Sequence, residues 1–278
     1  SEERVSFTVT PSPGASGGVY TVAADLGDRI VRTGTTLIRY PHIPAQTIFP
    51  SASGKLVVAD VRKKKFTVGY IDGSGDEVPE ALRRIGYEVR LLTDEDLLSA
   101  DLAHLQAIVA GVRAYNTRPA LGMAQRRLME YVSGGGTYIV QYATNGRMET
   151  GEPGPYPLKI SRDRVSDETA PVTLLAPGHP ALTYPNTIGP GDFSGWVQEL
   201  GLYFADSWDS AYVPLISAGD PGEPARRGGL LVARHGNGYF CYTGLSFFRQ
   251  LPAGVPGAYR LFANLIELGS RERVKGQE

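Results

Sequence analysis

Polar side chains capable of binding a ligand occur in four short segments of this chain. The segments contribute Arg113, Tyr115, Asn116, Gln141, Asn145, Arg162 and Arg249. Guanidinium, amide and phenol groups bind anionic or hydroxyl-rich compounds through several directed hydrogen bonds. We therefore predict that these residues line a ligand-binding pocket. The alternative is a solvated rim in which the arginines form structural ion pairs with nearby carboxylates.

Residues suited to covalent or metal catalysis are sparse, and none is predicted to be catalytic. The single cysteine, Cys241, lies between Phe240 and Tyr242 in an apolar segment. A strand interior offers neither a helix N-terminus nor a basic neighbour to stabilise a thiolate, so we interpret Cys241 as a buried structural residue. The four histidines show no metal-ligand spacing, which predicts no metal site in this chain: His42, His104, His179 and His235.

The glycine-rich segment 73–75 stands between a predicted strand and a predicted helix. Free backbone amides in such a turn could hold an anion. Asp76 and Glu77 follow at once and would repel a phosphate, so a tight strand-to-helix turn is favoured over a ligand loop.

The elements that must position the polar residues form an α/β pattern from residue 63 onward. Apolar strands are predicted over 66–71, 107–112 and 137–142, with helices between them that start near Asp76 and Pro119. Strands that alternate with helices predict a doubly wound, mostly parallel sheet. Arg113 and Asn116 would follow one strand and Asn145 the next, at the carboxyl ends where such sheets bind ligands. We expect the Arg113 guanidinium to be partly shielded from water there, or else to pair with Asp72 or Glu77.

The first 62 residues have a different hydrophobic pattern and are predicted to be a small β-rich appendage. Val5, Phe7 and Val9 alternate with polar residues, as in a half-buried strand, and Pro and Gly interrupt the later segments. We interpret residues 1–62 as the tail of a β-sandwich packed on an α/β domain of residues 63–278. Later in the chain we predict a helix over 192–200, a hairpin at 229–243 and a closing helix over 259–268.

The composition excludes several classes of protein. The 278 residues carry a formal net charge of -1, so a general attraction to nucleic acid or to an anionic membrane is not expected. No apolar run approaches the length of about 20 residues that a membrane-spanning helix requires. The polar start of the chain does not resemble a signal peptide.

Several runs resemble the C-terminal region of large bacterial PIG-L (LmbE-like) de-N-acetylases, and the strand pattern is similar to the class I glutamine amidotransferase-like fold of ThuA-like proteins. The runs lie at 40–44, 75–82, 111–116, 155–164 and 247–260. The resemblance implies an exported bacterial protein whose zinc deacetylase domain, with its Ala-His-Pro-Asp-Asp-Glu motif, would lie upstream of Ser1. That domain would be the partner, zinc would belong to it alone, and this chain would need no cofactor.

Two departures from these families matter for function. The zinc motif does not occur in this chain, and the amidotransferase cysteine is replaced in the turn Tyr142-Ala143-Thr144-Asn145. The late His-x-Glu motif is also missing, so hydrolysis of glutamine by that triad is excluded on chemical grounds. We expect a non-catalytic binding or scaffolding module for a deacetylase acting on amino sugars, with a carbohydrate as a possible ligand. The alternative is a hydrolase with an unfamiliar site built from Arg113, Tyr115, Asn116, Asn145 and Arg162.

Overall fold

The computed structural model describes residue 5, residues 9–10, residue 12, residues 14–146, residue 148 and residues 150–269. The chain divides into two compact units, Ser1–Asp60 and Val61–Glu278. No helix in the described part of the chain is both long and apolar enough to cross a membrane.

The first unit consists of short antiparallel strand pairs. Its strands are β1 (Gly18–Thr21), β2 (Ala24–Asp25), β3 (Ile30–Val31), β4 (Thr36–Ile38), β5 (Gln46–Ile48) and β6 (Ser53–Leu56). The pairs are β1 with β6, β2 with β3, and β4 with β5. None of the described residues in this unit is buried. Its interpretation as the tail of a β-sandwich stays a prediction.

The half-buried strand predicted at the start of the chain is wrong at the two positions the structure describes. Val5 and Val9 lie outside any strand and are 65% and 60% exposed. Phe7 lies outside the described residues. An alternating pattern yields a half-buried strand only where a partner strand and a core receive it, and no described strand pairs with this segment.

The second unit is built on a seven-stranded, mostly parallel sheet. Its strands are β7 (Thr67–Ile71), β8 (Glu88–Leu91), β9 (Ala107–Ala110), β10 (Thr137–Gln141), β14 (Tyr212–Pro214), β16 (Leu230–His235) and β17 (Gly238–Thr243). They lie side by side in the order β14-β16-β17-β10-β9-β7-β8. Five adjacent strands, β17, β10, β9, β7 and β8, run parallel to one another. Strand β16 is antiparallel to both of its neighbours, β14 and β17. The predicted fold class is confirmed, and the three strands predicted over 66–71, 107–112 and 137–142 lie in this one sheet.

Helices cover both faces of the sheet because its strands are apolar on both sides. The helices are α1 (Val78–Arg84), α2 (Asp94–Ser99), α3 (Ala114–Thr117), α4 (Ala120–Ser133), α5 (Pro180–Thr183), α6 (Phe247–Gln250) and α7 (Pro256–Ile266). Within β9, Ala107 and Val109 join the core that contains α1 and α7, whereas Ile108 and Ala110 join the core that contains α2 and α4. This alternation is the period-2 geometry of a strand buried on both faces.

A long two-stranded ribbon lies in a region where the sequence pattern predicts no long strands. Strands β11 (Leu158–Val165) and β13 (Gly201–Trp208) pair in antiparallel fashion with several register shifts. The short strands β12 (Thr173–Leu174) and β15 (Ile216–Ser217) form a second pair. The register shifts disturb the strict alternation on which strand prediction depends.

The helix predicted over 192–200 is wrong. Only a single 3-10 turn forms, over Pro190–Phe193, and Ser194 then adopts an extended conformation. Gly195 and Gln198 have φ values of 73° and 69°, which an α-helix does not allow. The hairpin at 229–243 forms as β16 and β17, and the closing helix forms as α7.

A buried acidic residue near the end of the second unit predicts a pH-dependent stability. Glu267 is fully buried, and its Oε1 atom accepts hydrogen bonds from the Lys64 amide at 2.5 Å and the Tyr87 hydroxyl at 3.4 Å. Burial raises the pKa of Glu267 above its ordinary value, although the Lys64 amide, the charge of Lys64 and the Tyr87 hydroxyl oppose the change.

We expect Glu267→Gln to flatten the dependence of unfolding free energy on pH. A raised pKa means that the folded state binds more protons than the unfolded state between pH 4.5 and the folded pKa. Glu267 therefore contributes a stability that is present at low pH and lost as the pH rises through this window. Urea unfolding from pH 4 to 8 measures the difference between the two proteins. Parallel curves for wild type and variant would contradict the assignment.

Candidate functional site

Arg113 lies on the rim of the sheet, where the chain leaves β9 and turns into α3. It has a φ of 59°, and its backbone amide donates to the Tyr142 carbonyl at 2.8 Å. The side chain is exposed, so the predicted partial shielding from water is wrong. The reason is that the turn begins directly after the strand and leaves Arg113 at the edge. Among the described residues, the guanidinium has no ion-pair partner, and the anticipated contact with Asp72 or Glu77 is absent.

Tyr115 and Asn116 hold the loops at this edge in place. Tyr115 is 1% exposed, and its hydroxyl lies within hydrogen-bond distance of Gln125 Oε1 (2.8 Å) and Tyr138 Oη (3.0 Å). Asn116 Oδ1 accepts from the Thr144 amide at 2.8 Å, and its Nδ2 donates to the Thr144 carbonyl at 3.3 Å. Asn116 therefore fixes the turn after β10, and Tyr115 donates to the Pro153 carbonyl further along the chain at 3.2 Å.

Gln141 belongs to a buried network beneath the rim. Its Nε2 donates to the Tyr70 hydroxyl at 3.0 Å, and that hydroxyl donates to the Asp76 carboxylate at 2.6 Å. Asp76 also accepts from the backbone amides of Val78 at 3.0 Å and Val112 at 3.1 Å. Burial, reinforced by the charge of Asp76, raises the pKa of Tyr70 well above its ordinary value. The network joins the ends of β7, β9 and β10 below the surface.

The glycine-rich turn at 73–75 is part of the same support. A Cβ atom on Gly73 would lie 2.2 Å from the Val112 carbonyl oxygen, and the Ser74 amide donates to that oxygen at 2.9 Å. Gly75 has a φ of 84°. Close approach and a positive φ both require glycine, which agrees with the predicted strand-to-helix turn.

An aromatic cluster, consisting of Tyr142, Tyr203 and Phe248, lies where the carboxyl ends of β10 and β17 meet the ribbon. The rings of Tyr142 and Tyr203 stack with centroids 5.5 Å apart, and Phe248 lies 5.4 Å from Tyr142. Burial raises the pKa of Tyr142, and the positive charges of Arg113 and Arg249 oppose this change. Within the described part of the chain, the Tyr142 hydroxyl has no hydrogen-bond partner.

Charged side chains border the aromatic cluster. Arg249 Nε donates to Glu199 Oε1 at 2.8 Å, and its guanidinium lies 4.8 Å from the centre of the Phe248 ring. Arg162 is exposed, and its Nε lies 3.4 Å from the Oδ1 atom of Asn145, which is also exposed. A cavity of about 470 Å³, the Tyr203 pocket, opens between these groups and is lined by Arg162, Arg164, Glu199, Leu202 and Tyr203.

Backbone strain is concentrated at the same place. The non-glycine residues with positive φ in the described ranges are Arg113, Gln198 and Tyr203, at 59°, 69° and 54°. Tyr203 stacks on Tyr142, and Gln198 accepts a hydrogen bond from Arg249. Strained backbone of this kind persists where the surrounding structure holds it and is frequent at functional sites. The sequence pattern does not indicate Tyr203 as a site residue, because it predicts no long strand where the ribbon lies.

Among its described residues, the site holds no activated nucleophile. No residue from 141 to 146, a stretch that the structure describes completely, has the positive φ of a strained nucleophile elbow. The backbone amide and carbonyl of Thr144 are both bonded to Asn116. Cys241 is fully buried, and burial raises the pKa of its thiol. Among the described residues, no three His, Cys, Asp or Glu side chains are grouped to hold a metal ion.

Comparisons with known proteins find similarity at the level of the fold. No protein-family profile matches this chain, and no curated protein matches its sequence. Solved structures with a similar arrangement include a protein assigned as a GMP synthase subunit from Thermoplasma acidophilum, with 10% identity, a TM-score of 0.47, and coverage of 78% of this chain and 100% of that one. A ThuA-like protein from Bacteroides uniformis has 13% identity and a TM-score of 0.46, with coverage of 76% and 93%. PurLQS from Thermotoga maritima has 13% identity and a TM-score of 0.45, with coverage of 74% and 99%.

Proposed function

We propose that the second unit is a non-catalytic binding module for a hydroxyl-rich ligand, which it takes up at the aromatic cluster. The observation that carries this proposal is the stacked pair of Tyr142 and Tyr203, on which the charges of Arg113 and Arg249 act. Aromatic rings offer a flat apolar face, and arginines offer several donors in a fixed plane. A polyhydroxylated ring compound such as a sugar presents the complementary surfaces.

The geometry around the pocket supports a ligand with some negative charge. Among the described residues, Arg162 and Arg164 line the Tyr203 pocket together with one carboxylate, Glu199, which is bonded to Arg249. The Arg113 guanidinium has no carboxylate partner in the described ranges. Cations that the protein itself does not neutralise favour an anionic or strongly hydrogen-bonding ligand.

The wider role that we propose is service to a zinc de-N-acetylase that acts on amino sugars. The support is the resemblance to PIG-L proteins, since the runs at 111–116 and 247–260 that carry it also supply Arg113 and Arg249. In this proposal the deacetylase is a domain of the same polypeptide, zinc is bound only there, and the protein is exported. The binding module would hold the carbohydrate near that catalytic domain.

The alternative, a hydrolase with an unfamiliar site, has less support. It requires Tyr115 and Asn116 to face a substrate. Tyr115 is buried, however, and both the oxygen and the nitrogen of the Asn116 side-chain amide are bonded to the Thr144 backbone. Of the residues that this alternative needs, Arg113, Asn145 and Arg162 remain exposed.

We expect Arg113→Ala to weaken ligand binding by roughly 10- to 100-fold, the value of one or two lost charge-assisted hydrogen bonds. The free energy of unfolding should change by no more than about 0.5 kcal/mol, because the side chain is exposed and unpaired in the described structure. A thermal-shift screen of neutral and acidic sugars identifies a ligand, and calorimetry then measures the affinity. Arg126→Ala on the exposed face of α4 is the matched control.

Two results would contradict this proposal. One is a loss of about 3–5 kcal/mol in the stability of Arg113→Ala with unchanged affinity, as expected for half of a buried ion pair. The other is hydrolysis of a test substrate, including ammonia release from glutamine that Thr144→Ala abolishes.

A further inference from the structure

A second and larger cavity opens beside the Tyr203 pocket. It has a volume of about 650 Å³, which is within the range of small-molecule sites. Its walls come from the segment after β10, from the start of β11 and from the end of β13. Six of its lining residues bear on the ligand that it could hold: Asn145, Met148, Glu152, Lys159, Trp208 and Asp209. We call this cavity the Trp208 cleft.

Among the described residues that line the Trp208 cleft, two carboxylates, Glu152 and Asp209, accompany a single lysine. Lys159 Nζ is paired with Asp206 Oδ2 at 3.3 Å, so its charge is already matched. Asp209 uses Oδ1 to accept from the Ala211 amide at 2.8 Å. The Glu152 carboxylate is exposed and has no hydrogen bond or ion pair within the described ranges. Within the described lining, the carboxylates of Glu152 and Asp209 therefore remain for a ligand.

Both carboxylates line the cleft, and their charges also act on the Tyr212 side chain. The Tyr212 hydroxyl donates to the Tyr156 carbonyl at 3.1 Å. Burial raises the pKa of Tyr212, and the charges of Glu152 and Asp209 both raise it further. Glu152 and Asp209 both line this one cavity. A cation in the cleft would be attracted by both of them.

Trp208 supplies an aromatic wall that is suited to a cation. Its side chain is partly exposed and packs with Met148 against the core beneath. Its indole N–H donates to no partner in the part of the chain that the structure describes. A cation near an indole ring gains electrostatic attraction, and the free N–H can donate to a hydroxyl group.

The cleft and the Tyr203 pocket lie along the same ribbon. At one end of the ribbon, Leu158 of β11 pairs with Trp208 of β13, which lines the cleft. Towards the other end, Asp163 pairs with Phe204, the neighbour of Tyr203 in the Tyr203 pocket. The contact of 3.4 Å between Arg162 and Asn145 joins the two cavities, because Arg162 lines one and Asn145 lines the other. The pocket presents arginines, and the cleft presents carboxylates.

We propose that the Trp208 cleft binds the ammonium-bearing unit of a saccharide whose neighbouring units occupy the Tyr203 pocket. This inference rests on the proposed function and adds a chemical class, a sugar with a free, protonated amino group. Glu152 and Asp209 would bind the ammonium group, Trp208 would cover the face of the ring, and Asn145 would lie at the junction of the two sites.

The test is a comparison of short β-linked N-acetylglucosamine oligomers that carry one free glucosamine unit with their fully N-acetylated counterparts at pH 6, where the free amine is protonated. Acetylation removes the charge and keeps the ring. We expect the aminated oligomers to bind at least 10-fold more tightly. Glu152→Gln and Asp209→Asn should each remove most of that preference, whereas Arg162→Gln should weaken both ligands alike.

Tryptophan fluorescence reports on the cleft directly. The chain has two tryptophans, and Trp196 is 4% exposed in the core, so a change on binding should come from Trp208. The signal should disappear in Trp208→Phe. It should persist with glucosamine in Arg113→Ala, because the cleft does not contain Arg113.

The outcomes separate the two proposals. Equal affinity for aminated and acetylated oligomers, together with sensitivity to Arg113→Ala, would overturn the cleft assignment and leave the proposed function standing. A Trp208 signal with glucosamine, while no sugar responds to Arg113→Ala, would support the cleft and overturn the proposed function. Binding that is unaffected by Glu152→Gln, Asp209→Asn and Trp208→Phe would also overturn the cleft assignment.

Discussion

Replacement of Asp76 by alanine should destabilise the protein by about 3–5 kcal/mol. Its carboxylate accepts from the Tyr70 hydroxyl at 2.6 Å and from the amides of Val78 and Val112 at 3.0 and 3.1 Å. Tyr70 is 0% exposed, so its hydroxyl could not turn to water once the acceptor was lost. Alanine would leave three donors without a partner, and each carries the cost of a buried, unsatisfied group.

Chemical denaturation of wild type and Asp76→Ala measures this loss, and Tyr70→Phe is the matched control. Tyr70→Phe removes one donor to Asp76 and the acceptor of Gln141 Nε2, but it leaves both amides bonded to Asp76, so it should cost roughly 1–2 kcal/mol. A loss below about 1 kcal/mol in Asp76→Ala would show that the carboxylate does not hold these strand ends together.

The Asp76 network explains how the candidate site obtains a fixed floor. Asp76 follows β7, Val112 follows β9 and Gln141 ends β10, so one cluster joins three neighbouring parallel strands. Asn116 adds a second connection, from α3 to the turn at Thr144. Arg113 and Tyr142 are therefore displayed on loops that are bonded from below. Such support allows a binding surface to keep its geometry without a ligand.

The sheet could be predicted from the sequence because its strands are short, continuous apolar runs with turn residues after them. The segments at 66–71, 107–112 and 137–142 needed only length and flanking glycines to be recognised as buried strands. Their carboxyl ends then indicated Arg113, Asn116 and Asn145 as residues of one edge. The fold class follows from such local patterns, since alternation of strand and helix permits few other arrangements.

The site itself depended on information that no local pattern contains. Tyr203 and Arg164 reach the edge from the ribbon of β11 and β13, whose register shifts interrupt the alternation of apolar and polar residues. Tyr115 and Asn116 look like ligand residues in the sequence because their side chains are polar. Only their partners, Gln125 and the Thr144 backbone, show that they serve the loops. Tertiary hydrogen bonds between residues distant in sequence decided these roles.

Gly257→Ala should destabilise the protein by about 3 kcal/mol, although helix propensity alone predicts a gain of roughly 1 kcal/mol. Gly257 lies in the first turn of α7 and contacts the 3-10 turn at Pro190–Phe193. An added Cβ would lie 1.9 Å from the Asp192 carbonyl oxygen and 2.5 Å from its Cα. These are backbone atoms, so no side-chain rotation can relieve the overlap.

The 3-10 turn is held too firmly to move aside for the new methyl group. Asp192 Oδ1 pairs with Arg260 at 2.8 Å, Oδ2 accepts from the Gly189 amide at 2.9 Å, and the carbonyl accepts from the Trp196 indole at 3.0 Å. Gly191→Ala in the same turn is the matched control, because its Cβ would meet no atom within 4 Å and the position is exposed. It should change the unfolding free energy by no more than about 0.5 kcal/mol. Urea unfolding of both variants tests the contact, and a Gly257→Ala protein as stable as wild type would mean that α7 does not pack this closely on the turn.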